Sequence, residues 1–388
     1  MPKSSILFLD QYSGISGGQK VLLNIIQGFS KKGYRCLAAL PERGLLSQNL
    51  EQSGIECKFL PIGYYSITQK NLFDFINYAA RLPFLVFLLI KLIKKQKINV
   101  VYANGSRTFI WATIACSIAG VPLIWHIHSI FKEGLAKKTC SFFGKFGVVK
   151  KIFAVSNVAA DSLNELKPKL QVIYNAVADG LASTDICLLK REYNLAEDNF
   201  LVGNIGILEE WKNQEDLIRA ARLIKEAGKK GIYFFLIGDS LYKKHGRQEY
   251  KNKLKNMVSV MGLEKEVIFS GFRNDIYEII NSLNMLVICS RDPDPCPMVS
   301  LEAASFGLAI ISTDFGGVKE MFKENEEVLF YKAGDFKGLA EKIIYLFENR
   351  DILRSIGQRA RLRVQKEHNL DNFLEEIITA VDKLSYGN

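Results

Sequence analysis

The sequence predicts an α/β protein built from two Rossmann-like, doubly wound domains, each a parallel sheet covered by helices on both faces. Three observations carry this. Short apolar runs alternate with longer helical patterns along nearly the whole chain, and uninterrupted apolar strands separated by helices belong to parallel sheets buried on both sides. The series occurs twice, once on each side of a break near residues 175–183 where Asn-Ala-Val-Ala-Asp-Gly interrupts the pattern. Finally, 388 residues exceed what one hydrophobic core usually serves, and 48% hydrophobic content with a mean hydropathy of +0.05 describes a well-packed globular chain.

In the first half the expected strands are Ile6 to Asp10, Arg35 to Leu40, Cys57 to Pro61, Asn99 to Ala103, Leu123 to His128, Ile152 to Val155 and Val172 to Asn175. In the second they are Leu201 to Ile207, Tyr233 to Gly238, Val267 to Ser270, Met285 to Ser290, Ala309 to Thr313 and Val328 to Tyr331. The domains are therefore drawn at 1–180 and 181–369, with a last helix at 370–388. Residues 82–97 (LPFLVFLLIKLIKKQK) have the look of a membrane segment, but the apolar run is twelve residues with Lys91 inside it. A spanning helix needs about 20. A helix packed on the following strand, with Lys91, Lys94, Lys95 and Lys97 toward solvent or lipid headgroups, is expected instead.

Composition narrows the function classes. Seven cysteines at scattered spacings give neither a disulfide framework nor a CxxC metal site, and the N-terminus enters a strand pattern with no long apolar run of a signal peptide. A reducing cytoplasm is the expected compartment. Charge is divided unevenly: residues 1–180 hold 22 Lys/Arg and 9 Asp/Glu, a net +13, against 29 and 32 in the remainder, a net −3. The basic residues are not arranged in a nucleic-acid-binding pattern. An anionic membrane surface, or a phosphorylated lipid acceptor, fits a basic first half better.

The richest segment is Asp294-Pro-Cys-Pro-Met-Val-Ser-Leu-Glu302, between an apolar strand and a stretch free of Gly and Pro from Met298 to Phe306. Pro297 suits the first position of a helix there. The amides of Met298 and Val299 in its first turn then favour an anion, and Glu302, about a turn deeper, reaches neutral hydroxyls. Asp292-Pro293-Asp294 spells D-x-D, a pattern that holds a divalent metal in other contexts; the helix that follows places it in a different frame, and no metal is expected. Upstream, Gly206 to Gln214 follows the first strand of the second domain. Asn213 and Asp216 are spaced like a capping box, putting Lys212 before a positive helix end. In the first domain a glycine loop, Ser13 to Lys20 with paired Gly17 and Gly18, lets backbone approach a phosphate closely. It is not G-x-G-x-x-G, and no acidic residue closes the second strand, which argues against a dehydrogenase. Trp125-His126-Ile127-His128 ends a strand, so both histidines point to one face, without neighbours at metal-ligand spacing.

The string from Asp294 through Gly316-Gly317 to Glu320 resembles the donor-site signature of the family-4 retaining glycosyltransferases, with Asp294 where Glu is usual. The resemblance extends over nearly all of the chain. It implies the GT-B fold, two Rossmann-like domains facing across a cleft, with the last helix crossing back to the first. It also implies a nucleotide-sugar donor (UDP- or GDP-sugar), a glycan or lipid-linked acceptor, no cofactor, and a place in cell-surface polysaccharide or glycolipid synthesis. His126, Lys212 and Asp294 are the implied catalytic residues. Gly17, Gly18, Lys212, Arg273, Asp294, Met298, Val299 and Glu302 are the implied donor-binding set. Lys212 and the Met298 and Val299 amides meet the diphosphate, Asp294 the sugar hydroxyls, Glu302 the ribose, and His126 lies beside the reacting sugar. Ile207 replaces the Arg that usually joins Lys212 on the diphosphate, and Arg273 or a first-domain base is the candidate substitute. The alternatives are a non-catalytic nucleotide-sugar or glycan-binding subunit and a GT-B-shaped epimerase or phosphorylase.

Overall fold

The computed structural model describes residues 3–62, 72–179, 186–240 and 248–385. They form two compact units: Met1–Asn175 together with Asp371–Asn388, and Ala176–Leu370. The expected boundary at 180/181 and the second half of the expected joint lie outside the described residues.

The first unit is a seven-strand parallel sheet. Its strands are β1 (Ser5–Asp10), β2 (Arg35–Leu40), β3 (Glu56–Phe59), β4 (Val100–Asn104), β5 (Leu123–Ile127), β6 (Val149–Ala154) and β7 (Leu170–Val172), in the order β3-β2-β1-β4-β5-β6-β7. Central strands are closed to solvent on both faces, as continuous apolar runs require: Ile6 to Leu9, Val100 to Ala103 and Leu123 to Trp125 are fully buried. The edge and entry strands depart from expectation. β6 starts three residues before Ile152, at the buried Val149, because Lys150 and Lys151 follow it and interrupt the apolar run. The last helix, Leu370–Ser385, packs on this unit: Leu374 lies against Gly28 in the Gly17–Lys31 helix, Tyr34 hydrogen-bonds Asp382, and Gln171 donates to Glu376 at 2.8 Å.

The second unit has six parallel strands, β8 (Phe200–Ile205), β9 (Ile232–Ile237), β10 (Val267–Gly271), β11 (Met285–Ile288), β12 (Ala309–Thr313) and β13 (Leu329–Tyr331), ordered β10-β9-β8-β11-β12-β13. In each sheet the order reverses once, between β1 and β4 and between β8 and β11. Such switch points open a crevice at the carboxyl ends of the strands, where ligands bind in doubly wound folds.

The segment with the look of a membrane span belongs to a longer helix, Leu72–Gln96, that runs through Pro83. Its Leu85, Leu89 and Ile93 are buried in the first unit. Among the described residues no helix is long and apolar enough to cross a membrane. All seven cysteines are free.

Candidate functional site

In the second unit the loops after β8 and β11, the strands flanking the switch point, carry Lys212 and Asp294. They meet there: Lys212 Nζ donates to Asp294 Oδ2 at 2.6 Å, with side chains 16% and 15% exposed. Neighbouring bonds fix both loops. Lys212 closes a short 3-10 turn, Glu210–Lys212, and lies over the Trp211 ring at 4.2 Å. The Arg291 amide after β11 donates to Trp211 O at 2.7 Å, and Gln214 Nε2 donates to Ile207 O at 2.9 Å. Asp294 Oδ1 accepts from the Cys296 amide at 3.3 Å. The helix Met298–Ser305 follows immediately, with Met298 in its first turn and Glu302 buried at 3% exposure. A half-buried lysine and a helix N-terminus at one switch point can hold a diphosphate between them.

Two local expectations are corrected. Pro297 is the residue before the first helical one, extended at φ −68°, ψ 104°, not the first helical residue itself. Asn213 and Asp216 form no capping box: Asn213 is left-handed at φ 50°, ψ 45°, closing the Lys212 turn, and its side chain caps nothing. Asp216 instead accepts the Gly334 amide at 2.8 Å. The turn that presents Lys212 needs the left-handed residue, and that requirement outweighs the cap.

Arg273 is bonded elsewhere. Its guanidinium bonds Glu192 at 2.7 Å and 2.9 Å and Asp275 at 2.8 Å. Two carboxylates therefore already match its charge, and Ile207 leaves Lys212 as the cation facing Asp294. Among the described residues no group of three or more His, Cys, Asp or Glu gathers as a metal site.

Sequence reading placed Gly316 and Gly317 in the signature but missed that they hold the Asp294 loop. Gly317 donates its amide to Asp294 O at 2.8 Å, and a Cβ on Gly317 would stand 1.9 Å from Pro295 O. Gly316 adopts φ +75°, and its Cβ would stand 2.6 Å from Asp294 O. The pair reads in sequence as a helix entry; in space it is a backbone-on-backbone contact that no side chain fits.

The first unit carries the glycine loop and His126. Register aligns Asp10 with Asn104 and Asn104 with His126 across β1, β4 and β5. All three side chains are buried. Asp10 accepts from Asn104 Nδ2 at 2.6 Å, from Gln19 Nε2 at 3.0 Å and 3.1 Å, and from the Tyr12 amide at 2.8 Å. His126 Nδ1 meets the Tyr102 hydroxyl at 2.8 Å, and its Nε2 has no partner. The His126 and His128 rings lie 4.1 Å apart, as their shared face requires. Gly17 opens the helix behind them, and Gly18 abuts His128. Asp10 and Asn104 were also missed, although each ends a strand at the switch point.

Burial, opposed by the bonds from Asn104 and Gln19, pushes the Asp10 carboxyl up to about 7. Burial pushes His128 down to about 4, and burial with the neighbouring His128 pushes His126 well below its ordinary range. Folded Asp10 holds its proton more tightly than unfolded Asp10, so its contribution to stability falls as pH rises from about 4 to about 7. The histidines hold theirs more weakly when folded, so their contribution rises up to about pH 6.5, and the two effects oppose. Asp10→Asn removes only the first. Its stability should therefore climb more steeply with pH than that of the parent, by about 1 kcal/mol per pH unit between roughly 4 and 7. Urea unfolding of both proteins across that window measures the difference; parallel pH profiles would show that Asp10 titrates normally.

Two doubly wound units, the second with a lysine–carboxylate pair at its switch point, define a protein of the GT-B class. Solved structures agree on the fold. Anabaena HepE in complex with UDP and glucose superposes with a TM-score of 0.85 at 24% identity, over 98% of this chain and 100% of that one. Sucrose-phosphate synthase from Thermosynechococcus elongatus does so with a TM-score of 0.78 at 15% identity, over 100% of both chains. The first half matches the family described as Glycosyltransferase Family 4 over residues 15–180, and the second matches Glycosyl transferases group 1 over residues 186–363. The chain belongs to the family-4 glycosyltransferases and is an enzyme of glycosyl transfer. It is 25% identical to N-acetyl-alpha-D-glucosaminyl L-malate synthase of Bacillus anthracis over 61% of this chain and 60% of that protein. It is also 25% identical to UDP-Gal:alpha-D-GlcNAc-diphosphoundecaprenol alpha-1,3-galactosyltransferase of Escherichia coli, over 95% of this chain and 92% of that protein.

Proposed function

We propose that this glycosyltransferase moves a sugar from a UDP-sugar to a glycan or lipid-linked acceptor with retention of anomeric configuration, in cell-surface polysaccharide or glycolipid synthesis on the cytoplasmic side. The observation that carries the reading is the Lys212–Asp294 contact beside the start of the Met298–Ser305 helix. Breaking a sugar–phosphate bond builds charge on the leaving diphosphate, and stabilising that charge is the main catalytic task. Lys212 and the amides of Met298 and Val299 take it. Asp294, released from Lys212 as the diphosphate arrives, orients sugar hydroxyls, Glu302 takes the ribose, and Gly17 and Gly18 serve from the first unit, where the His126 side chain is fully buried and acts only through its neighbours. Retention rests on the family resemblance of the Asp294 to Glu302 segment. UDP is favoured over GDP because HepE is seen with UDP and glucose and the Escherichia coli relative uses UDP-Gal.

Screening UDP- and GDP-sugars for thermal stabilisation, then for transfer to a GlcNAc-diphosphoryl lipid and to glycans, tests the reading. A donor at a hundred times its Kd adds about 2.7 kcal/mol and so raises Tm by several degrees. Stabilisation by GDP-sugars alone would replace the donor assignment, and stabilisation without transfer to any acceptor would favour the non-catalytic subunit. With no metal assigned a role, turnover should be unchanged in EDTA. Loss of activity on chelation with recovery on adding Mn2+ would return Asp292 and Asp294 to a metal site.

The partner surface we assign to the first unit is an anionic membrane. In the Leu72–Gln96 helix, Phe84 and Phe87 are 55% and 60% exposed and, with exposed Lys91, Lys94 and Lys95, lie opposite the buried Leu85, Leu89 and Ile93. The Leu135–Gly144 helix repeats the arrangement, with Leu135 and Phe142 65% and 61% exposed around an exposed Lys138. These helices join β3 to β4 and β5 to β6, moving the same way across the sheet, so right-handed crossovers place them on one face. Residues 75–160 contain twelve Lys/Arg and a single acidic residue, Glu133, which Lys137 pairs. Rings that enter the headgroup layer beside lysines worth about 1 kcal/mol each near anionic lipid give reversible docking. Flotation with phosphatidylglycerol vesicles should recover the protein at low salt, much less at 0.5 M salt, and much less for Phe84→Ser/Phe87→Ser. Absence of binding under all conditions would make a soluble acceptor the better assignment.

A further inference from the structure

Asp10, Asn104 and His128 form a chain of hydrogen bonds whose direction is fixed from its buried end. Asp10 is surrounded by donors: the Asn104 Nδ2 group at 2.6 Å, Gln19 Nε2 and the Tyr12 amide. With its Nδ2 turned to a carboxylate, Asn104 has only Oδ1 to offer on its other side, and that atom lies 2.7 Å from His128 Nε2. A carbonyl oxygen accepts, so His128 must donate from Nε2. A neutral imidazole with its proton on Nε2 has a bare lone pair on Nδ1. Turning Asn104 around would set its oxygen against the Asp10 carboxylate, so the second tautomer faces a repulsion at one end of the chain or the other.

The bare nitrogen lies beside Gly18, within van der Waals reach of a side chain there. A Cβ at Gly18 would stand 3.6 Å from His128 Nδ1 and 3.4 Å from its Cγ. His128 keeps part of its surface open, whereas Asp10, Asn104 and His126 are closed, and among the described residues no group donates to Nδ1. We infer that Asp10 and Asn104 hold His128 as the Nε2–H tautomer so that its Nδ1 receives a hydroxyl of the acceptor sugar at the glycine loop. His128 is the residue that touches the ligand; Asp10 and Asn104 are positioning residues. Burial keeps the imidazole neutral at neutral pH. A neutral ring with an outward lone pair repels a phosphate oxygen and accepts from a hydroxyl, which selects the ligand class. Assigning that hydroxyl to the acceptor rests on the proposed function; the tautomer does not.

The chain has four histidines, so 15N-histidine NMR of the whole protein can resolve them, with His128→Phe giving the assignment. At pH 8, above the Asp10 titration, His128 should show a protonated Nε2 and an unprotonated Nδ1. In Asp10→Asn, where only the long 3.5 Å bond from Asn104 Nδ2 to Gly18 O still favours one orientation of the amide, the signal should move toward a mixture of tautomers, a change that a packing role for Asp10 would not produce. A protonated Nδ1 in the parent, or an unchanged tautomer in Asp10→Asn, overturns the relay. For the ligand, His128→Phe should raise KM for a GlcNAc-diphosphoryl lipid about tenfold and leave the donor KM unchanged. A rise in donor KM alone would move the hydroxyl to the donor sugar and overturn the acceptor assignment. The NMR arm needs no substrate, so it stands or falls apart from the transferase assay.

Discussion

Lys212→Ala is expected to lower kcat/KM by about 10²–10³ while leaving the second unit folded. Removing one preorganised donor from a developing negative charge costs roughly 3–4 kcal/mol of transition-state stabilisation. Ile207 occupies the usual Arg position and Arg273 is already bonded to Glu192 and Asp275, so Lys212 is the cation of the second unit on which the load falls. The fall should lie mainly in kcat, because charge on the diphosphate grows as the sugar bond breaks. Lys212→Ala also leaves Asp294, 15% exposed, without its ion-pair partner, so Lys212→Ala/Asp294→Asn is the informative companion. If the double variant recovers activity, the single loss came from an unpaired carboxylate. If it falls well below Asp294→Asn alone, the lysine acts on the diphosphate. Activity within a few-fold of the parent for Lys212→Ala, with folding checked by calorimetry, would take Lys212 out of the donor site.

Gly317→Ala should be almost as damaging although it removes no functional group. The new Cβ would stand 1.9 Å from Pro295 O and 3.2 Å from Cys296 Cα, both backbone atoms. Something must shift by the order of an ångström, and overpacking of this kind costs about 1–3 kcal/mol in stability. The element that moves is the loop bearing Asp294, tied to Gly317 by a 2.8 Å amide bond. Displacement of a positioned group by about 1 Å is worth about 10² in rate. A lowered unfolding midpoint and a hundredfold loss of kcat/KM are therefore expected together. Gly147→Ala is the control, because its Cβ would meet no atom within 4 Å, and it should be silent. Full activity in Gly317→Ala would show that the Asp294 loop tolerates displacement and that its position is not what matters.

The strands were legible because their signal is local. Continuous apolar runs such as Arg35 to Leu40 and Ala309 to Thr313 coincide with β2 and β12, since a strand buried on both faces writes its burial into consecutive residues. Residue types that suit a diphosphate, Lys212 and the start of the Met298 helix, could likewise be found one segment at a time. Errors fell where neighbours outside the segment decide. Lys150 and Lys151 interrupted the apolar run at the start of β6, and the left-handed turn at Asn213 displaced a cap that spacing alone favoured. The pairing of Lys212 with Asp294, 82 residues apart, and the row of Asp10, Asn104 and His126 depend on strand order and register. These are properties of the sheet, settled only when β8 finds β11 and β1 finds β4. The sequence by itself determined two doubly wound domains and the chemistry carried by each loop. The tertiary structure decided which groups share a crevice, which charge is already matched, and where only glycine fits, because each of these is a distance between segments that no local pattern encodes.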